Sequence, residues 1–177
     1  DTRLITKIIR KYKSCNALIF HEKSGNFKID ELKNKLKEHP KMDGLNLSSS
    51  ITTKKQYKYT EGVHELISSE AYNLKNFKPK IAVIDFGVKQ NILRHLVNLN
   101  AEVNVFSENA SIDDINNFKP DGIFLSNGPG DPSATEIKCR KLLSALFQLK
   151  IPVFGICIGH QLIGISFGAK TNKMPQG

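Results

Sequence analysis

The sequence lacks the features that would mark it as disulfide-stapled, secreted or membrane-spanning. Its cysteines, Cys15, Cys139 and Cys157, show no paired spacing, which argues against a disulfide framework or a metal knuckle and indicates a reducing compartment. No stretch approaches the roughly 20 apolar residues that a membrane helix needs, and no signal peptide is visible. We therefore expect a cytoplasmic protein that makes no contact with a membrane.

A basic charge balance, with no matching pattern of aromatic residues, is the next feature. The net charge is +9 at pH 7, which would permit nucleic-acid binding. However, the lysines are spread along the whole chain, and the densest stretch, residues 28–41, is typical of a solvated helix. Aromatic residues do not alternate with a basic stripe, as a single-strand binding surface requires. We expect no nucleic-acid partner.

The first part of the chain, residues 1–78, has mixed character. It contains a predicted helix ("TRLITKIIRKYK"), a short apolar strand ("ALIF") and a charged helix ("DELKNKLKEH"). The polar stretch "LSSSITTKKQYKYTEG" predicts a loop and an edge strand. Pro79 marks a hinge. We therefore predict part of a smaller α+β domain over residues 1–78, followed by a second domain over residues 79–177.

From residue 80 onward, strands and helices alternate. Four short apolar runs predict strands: "KIAVIDFG", "AEVNVFS", "KPDGIFLS" and "IPVFGI". Helical patterns separate them, one capped by Ser111. Another is "TEIKCRKLLSALFQLK", whose inward-facing residues are predicted to be Ile137, Leu142, Leu143, Ala145 and Leu146. Such alternation requires crossover connections, so the sequence predicts a doubly wound α/β domain with a parallel sheet.

The segments that follow the strands carry the chemistry. "DFG" follows the first strand, "NGPGDP" the third and "ICIGHQ" the fourth. Ligands of doubly wound sheets bind at the carboxyl ends of the strands. We therefore expect these three segments to converge on the same edge of the sheet.

"GICIG" has the pattern of a nucleophile turn between a strand and a helix. Gly155 and Gly159 flank Cys157 two residues away on each side, as in G-x-S-x-G with a thiol in place of the hydroxyl. The following helix would direct its N-terminal dipole at the sulfur and favour the thiolate, and the N–H of Ile158 is a natural oxyanion donor. The alternative is that Cys157 is a small buried core residue, which is common for cysteine.

A cysteine that acts on an amide normally needs a histidine and an orienting carboxylate. His160 is three residues beyond Cys157 in the same helix, so we interpret it as structural or orienting. No histidine follows residue 160. Cys139, in the middle of a predicted helix, and Cys15 are interpreted as packing or surface residues.

The motifs "GICIGHQ" and "SNGPGDP" resemble those of the class I glutamine amidotransferases. Within that class, "IAVIDFGVKQNILRHL", "DTRLITKIIRKY" and "DGLNLSSSITTKKQYKYTEG" are similar to the small chain of carbamoyl phosphate synthase, so the resemblance covers nearly the whole chain. It implies that residues 79–177 are the N-terminal part of a flavodoxin-like amidotransferase domain. Residues 1–78 would be the C-terminal part of the small chain's N-terminal domain, with a linker. It also implies that the chain is an internal piece of a longer protein, lacking both ends.

The resemblance assigns roles to individual residues. Cys157 would attack the side-chain amide of L-glutamine, and Gly128, Gly130, Ile158 and Gln161 would hold the glutamine or stabilise the oxyanion. The family usually has leucine where Ile158 stands, a change that leaves the backbone donor intact. The catalytic histidine and glutamate of the family would lie beyond residue 177, so we expect negligible glutaminase turnover from this chain alone.

The resemblance also implies a partner. Ammonia would pass to a large synthetase subunit or a fused synthetase domain, which makes carbamoyl phosphate for pyrimidine and arginine biosynthesis from bicarbonate and ATP. ATP and magnesium would belong to that partner, so no cofactor and no metal are expected in this chain. Two alternatives stay open: a glutaminase that serves anthranilate or GMP synthase, and a non-catalytic amidotransferase-like scaffold.

Overall fold

The structure is a computed structural model, and it describes residues 1–12, 16–21, 23, 25, 27–63 and 77–174. The chain divides into two compact units, one of residues 1–43 with 172–177 and one of residues 44–171. Residues 44–63 thus pack with the region that the sequence predicts to be α/β. The predicted domain boundary between residues 78 and 79 stays a prediction.

The first unit contains two exposed helices. They are α1 (Thr2–Tyr12) and α2 (Ile29–Glu38), as predicted, and neither has a buried residue. The predicted strand "ALIF" is wrong: residues 17–20 have no regular secondary structure, and Ile19 is fully exposed. A strand needs a neighbouring strand to pair its backbone groups, and the described part of this unit offers none.

The second unit contains five strands and five helices among its described residues. In chain order they are α3 (Ser48–Ile51), β1 (Tyr57–Tyr59), β2 (Lys80–Asp85), α4 (Gln90–Asn98), β3 (Glu102–Ser107), α5 (Ile112–Phe118), β4 (Gly122–Leu125), α6 (Pro132–Gln148), β5 (Val153–Gly155) and α7 (Ile158–Ser166). The predicted loop and edge strand near residue 57 are therefore present, and the short helix α3 was not predicted.

The strands form one sheet in the order β1-β3-β2-β4-β5. β2, β3, β4 and β5 are parallel, and β1 pairs antiparallel with β3 at one edge. Ile81 on the central strand β2 is in register with Val103 on β3 and Gly122 on β4. β2 and β4 are nearly continuous apolar runs because both faces of a central parallel strand are covered.

Helices cover both faces of this sheet, which confirms the doubly wound α/β fold. On one face, Ile115 of α5, Leu143 of α6 and Leu162 of α7 pack against the sheet, and all three are buried. On the other face, Leu93 of α4 packs against Val83, Val103 and Val105. The carboxyl ends of β2, β4 and β5 consequently reach the same edge of the sheet.

Two helix starts agree with local capping rules, and one burial prediction fails. The Ser111 Oγ accepts a hydrogen bond from the Asp114 N–H at 3.0 Å, as predicted. α6 begins at Pro132, capped by the Asp131 carboxylate, which accepts from the Ser133 N–H at 2.9 Å.

Ile137 was predicted to face inward, but it is 67% exposed. It lies five residues before the buried Leu142, about 140° around the helix from it.

Candidate active site

Cys157 lies on a sharp turn between β5 and α7. It is the N-cap residue of α7 and has φ 55° and ψ −114°, a conformation that residues with a side chain rarely adopt. Its side chain is exposed. Strained backbone of this kind persists only where the surrounding structure enforces it. Cys157 is therefore not the buried core residue of the alternative interpretation.

The flanking glycines allow the strand and the helix to approach closely. A Cβ atom on Gly155 would lie 2.5 Å from the carbonyl carbon of Gly159 and 2.6 Å from the His160 nitrogen. A Cβ atom on Gly159 would lie 2.6 Å from the carbonyl carbon of Leu125 on β4. Backbone occupies both places, so no side chain fits at either position. The nucleophile turn predicted from the spacing of the two glycines is confirmed.

The loop after β4 is joined to the turn at Cys157 and to the loop after β2. The Ser126 carbonyl accepts a hydrogen bond from the Gly159 N–H at 3.1 Å, and its buried Oγ accepts from the Phe86 N–H at 2.9 Å. The Asn127 side chain donates to the Gly87 carbonyl at 3.0 Å and accepts from the Lys89 N–H at 3.1 Å. The predicted convergence of "DFG", "NGPGDP" and "ICIGHQ" is thus observed directly.

Gly128 and Gly130 hold this loop against neighbouring backbone. A Cβ atom on Gly128 would lie 2.8 Å from the carbonyl carbon of Phe86, and Gly130 has φ +105°. Within the described part of the chain, the N–H groups of Gly128, Gly130 and Ile158 donate to no acceptor. Unpaired backbone donors in the loop after β4 and at the start of the helix that Cys157 caps are suited to binding a negatively charged oxygen.

The remaining candidates differ in their surroundings. Gln161 and His160 are both exposed on the first turn of α7. His95 is exposed on α4, His21 and His39 belong to the first unit, and His64 and Cys15 lie outside the described residues.

Cys139 is buried on α6, and burial raises the pKa of its thiol to about 12. Cys139 is therefore a packing residue, as the sequence analysis proposed.

The comparisons with known proteins place this geometry in a family. The family described as "Glutamine amidotransferase class-I" matches residues 82–177, more than half of the chain, including every loop described above. The chain belongs to the class-I glutamine amidotransferases.

Curated relatives of this amidotransferase chain carry the name "Carbamoyl phosphate synthase small chain". The protein of that name from Zymomonas mobilis is 41% identical over 177 residues, which are 100% of this chain and 47% of the relative. Those from Bartonella bacilliformis and Agrobacterium fabrum are each 40% identical, over 100% of this chain and 44% of the relative. The chain spans about half the length of the curated relatives it matches.

Two carboxylates that the sequence analysis did not single out hold the loops of this amidotransferase site. The Asp85 Oδ1 accepts from the Gly87 N–H at 2.9 Å and from the Val88 N–H at 2.8 Å, which fixes the turn after β2. The Asp131 Oδ2 accepts from the Gly44 N–H at 2.8 Å. The sequence feature that could have identified both residues is an aspartate next to a glycine-containing turn, because Asp readily accepts hydrogen bonds from nearby backbone N–H groups.

Two further properties concern the described residues alone. They contain no group of three or more histidine, cysteine, aspartate or glutamate side chains placed to hold a metal ion. No helix in the ranges that the structure describes has both the length and the apolar character needed to cross a membrane.

Proposed function

We propose that this chain is part of the glutaminase component of a glutamine-hydrolysing carbamoyl phosphate synthase. The observation that carries the proposal is the exposed, strained Cys157 at the N-cap of α7 in a class-I glutamine amidotransferase. The names of the relatives, together with the match of residues 1–81 to the same relatives, favour the carbamoyl phosphate synthase branch.

In the proposed reaction, the Cys157 thiolate attacks the side-chain amide carbon of L-glutamine. A C–S bond forms, and the carbonyl π electrons move to the oxygen, which gives a tetrahedral oxyanion. The C–N bond then breaks, the nitrogen takes up a proton and ammonia leaves. Water hydrolyses the resulting glutamyl thioester and releases glutamate with the free thiol.

The oxyanion of both tetrahedral intermediates would bind to backbone N–H groups. Ile158 supplies the first, and Gly128 and Gly130 are the candidates for the second, since all three N–H groups lack an acceptor in the described part of the chain. Removing one such donor from an enzyme costs about 3 kcal/mol of transition-state stabilisation. Gln161, exposed one turn after Cys157, would contact the bound glutamine.

The proton of the Cys157 thiol would go to a histidine oriented by a glutamate, the pair that the family supplies from residues beyond 177. His160 is not proposed as that base, because it lies in the helix that starts at Cys157. The N-terminus of α7 would assist by favouring the thiolate.

Ammonia would pass to a large synthetase subunit or a fused synthetase domain, which would use bicarbonate and ATP with magnesium. This chain itself would need no cofactor and no metal. We place the complex in the cytoplasm, in pyrimidine and arginine biosynthesis.

The test uses the full-length polypeptide produced with its partner. The glutamine analogue diazo-oxo-norleucine should alkylate Cys157, free glutamine should protect it, and Cys157→Ala should abolish both labelling and glutamine hydrolysis. Peptide mapping distinguishes Cys157 from Cys139, the internal control. If Cys157 stays unlabelled while the complex still makes carbamoyl phosphate from ammonia, the chain is a non-catalytic scaffold. Co-purification with a chorismate- or nucleotide-using enzyme would instead indicate the glutaminase of another synthase.

A further inference from the structure

A segment before the family match hydrogen-bonds to the end of β2, to the residue after β3 and to the loop after β4. We call residues 44–53, which include α3, the strap. The Thr53 N–H donates to the Asp85 Oδ2 at 2.7 Å, at the end of β2. The Gly44 N–H donates to the Asp131 Oδ2 at 2.8 Å, and the Asp131 N–H donates to the Leu45 carbonyl at 2.9 Å. The strap therefore connects the loops after β2 and β4.

Glu108, directly after β3, supplies the third attachment. It is 1% exposed, and the Ser48 hydroxyl, itself fully buried, donates to its Oε2 at 2.6 Å. The Ser49 hydroxyl donates to its Oε1. The Glu108 N–H donates to the Thr52 Oγ1 at 3.1 Å. No ion pair in the described ranges involves Glu108.

Burying a carboxyl group without an ion-pair partner costs free energy of folding unless the group is fully hydrogen-bonded. Both oxygens of Glu108 accept hydrogen bonds from the strap, and no other described element donates a hydrogen bond to this side chain. The buried carboxyl group therefore fixes where the strap lies relative to the sheet.

The strap in turn limits where the glycines of the active-site loops lie. A Cβ atom on Gly130 would lie 2.8 Å from both the Leu45 carbonyl oxygen and the Leu47 nitrogen. A Cβ atom on Gly87 would lie 2.5 Å from the Ile51 Cδ1 and 3.4 Å from the Gly128 Cα. Moving the strap would therefore free space beside both Gly87 and Gly130, and Gly130 belongs to the loop that carries the Gly128 and Gly130 N–H groups.

We propose that Glu108 is a positioning residue of the amidotransferase site, which acts through Ser48, Ser49 and the strap to hold the Gly128–Gly130 loop at the distance from Cys157 that glutamine hydrolysis needs. This inference rests on the proposed function. Glu108 does not touch the reacting atoms, so its removal should alter the placement of the donors and leave the turn at Cys157 intact.

The test compares two reactions of Cys157 in the full-length protein with its partner. Iodoacetamide needs only an exposed thiolate, whereas diazo-oxo-norleucine also needs the glutamine site and its N–H donors. The measured ratio is the rate of labelling by diazo-oxo-norleucine divided by the rate of labelling by iodoacetamide. In Glu108→Ala and in the double variant Ser48→Ala/Ser49→Ala, this ratio and kcat for glutamine should each fall at least about tenfold. The reason is that misplacing a catalytic group by about 1 Å lowers the rate on the order of 100-fold. KM should stay within about twofold, since the lost interaction belongs to the transition state.

Two further variants separate positioning from general destabilisation. Glu108→Gln keeps one acceptor and adds a donor for the serine hydroxyls, so its ratio should recover to within about threefold of the unmodified protein. Glu136→Gln is the matched control. Glu136 is a second buried carboxylate, and its described hydrogen bonds and ion pair all go to Arg140 on α6, at 2.7–2.8 Å, so this variant should leave the ratio unchanged. Combining Glu108→Ala with the two serine substitutions should add no further loss.

The outcomes separate this inference from the proposed function. If the unmodified protein neither hydrolyses glutamine nor reacts with diazo-oxo-norleucine, the proposed function is wrong and the inference is lost with it. If the unmodified protein is active but Glu108→Ala keeps its ratio and kcat, the inference alone is wrong. If Glu108→Ala does not fold, the double serine variant decides the question.

Discussion

Replacement of Gly159 by alanine is the sharpest test of the turn that exposes Cys157. The new methyl group would lie 2.6 Å from the Leu125 carbonyl carbon and 2.8 Å from the Leu125 Cβ, inside the 3.0 Å that real Cβ atoms essentially never breach. The obstacle is backbone of the buried strand β4, which cannot move aside as a flexible side chain can. We therefore expect Gly159→Ala to lower the free energy of unfolding by about 2 kcal/mol or more, the cost of overpacking.

Gly164, later in the same helix, provides the matched control. A Cβ atom there would meet only the Ala169 Cβ, at 3.6 Å, an ordinary contact. Since alanine is favoured over glycine inside helices by up to about 1 kcal/mol, Gly164→Ala should be neutral or stabilising.

Urea and thermal unfolding measure both variants. In a chain of 177 residues, a loss of about 2 kcal/mol should lower the melting temperature by roughly 4–8 °C. Iodoacetamide labelling then asks whether Cys157 of Gly159→Ala still reacts as an exposed thiol. Equal stability of Gly159→Ala and Gly164→Ala would refute the argument that α7 is pressed against β4.

Three further predictions concern other parts of the chain. Ser111→Ala should lower the free energy of unfolding by about 1 kcal/mol in urea titrations, because the Asp114 N–H loses its 3.0 Å acceptor; an unchanged midpoint would contradict this. Burial raises the pKa of Cys139 from 9.0 to about 12. As the pH rises, the thiol therefore loses its proton at a lower pH in the unfolded state than in the folded state. The free energy of unfolding should therefore be unaffected by this group below pH 9 and fall as the pH rises from 9 towards 12, less steeply in Cys139→Ala; parallel curves would count against it. Finally, the 177-residue chain alone should release negligible ammonia from glutamine, and turnover abolished by Cys157→Ala would overturn that prediction.

The elements that were predictable from the sequence share a local signal. The strands β2 and β4 are continuous apolar runs, and the turn at Cys157 is marked by glycines at fixed spacing. Each of these features is determined within about ten residues. The fold class and the convergence of the three loops follow because alternating strands and helices leave few possible topologies.

The failures have physical causes of two kinds. "ALIF" has the composition of a strand, but a strand also needs a partner, which local composition does not report. Ile137 was placed in the core by its apolar character, although helical geometry puts it about 140° from Leu142. Glu108 and Ser48 were overlooked because they are 60 residues apart in the chain, and no local pattern relates two such positions.

The strap has a consequence for how this module can be exchanged between proteins. The family match begins at residue 82, yet three acidic side chains within the matched region complete their hydrogen bonding with residues 44–53. A chimera joined at residue 82 would leave Asp85, Glu108 and Asp131 facing an unrelated sequence, with one of them fully buried and without donors. The transferable unit therefore starts near Gly44, and recombination between relatives should be tolerated before that residue far better than after it.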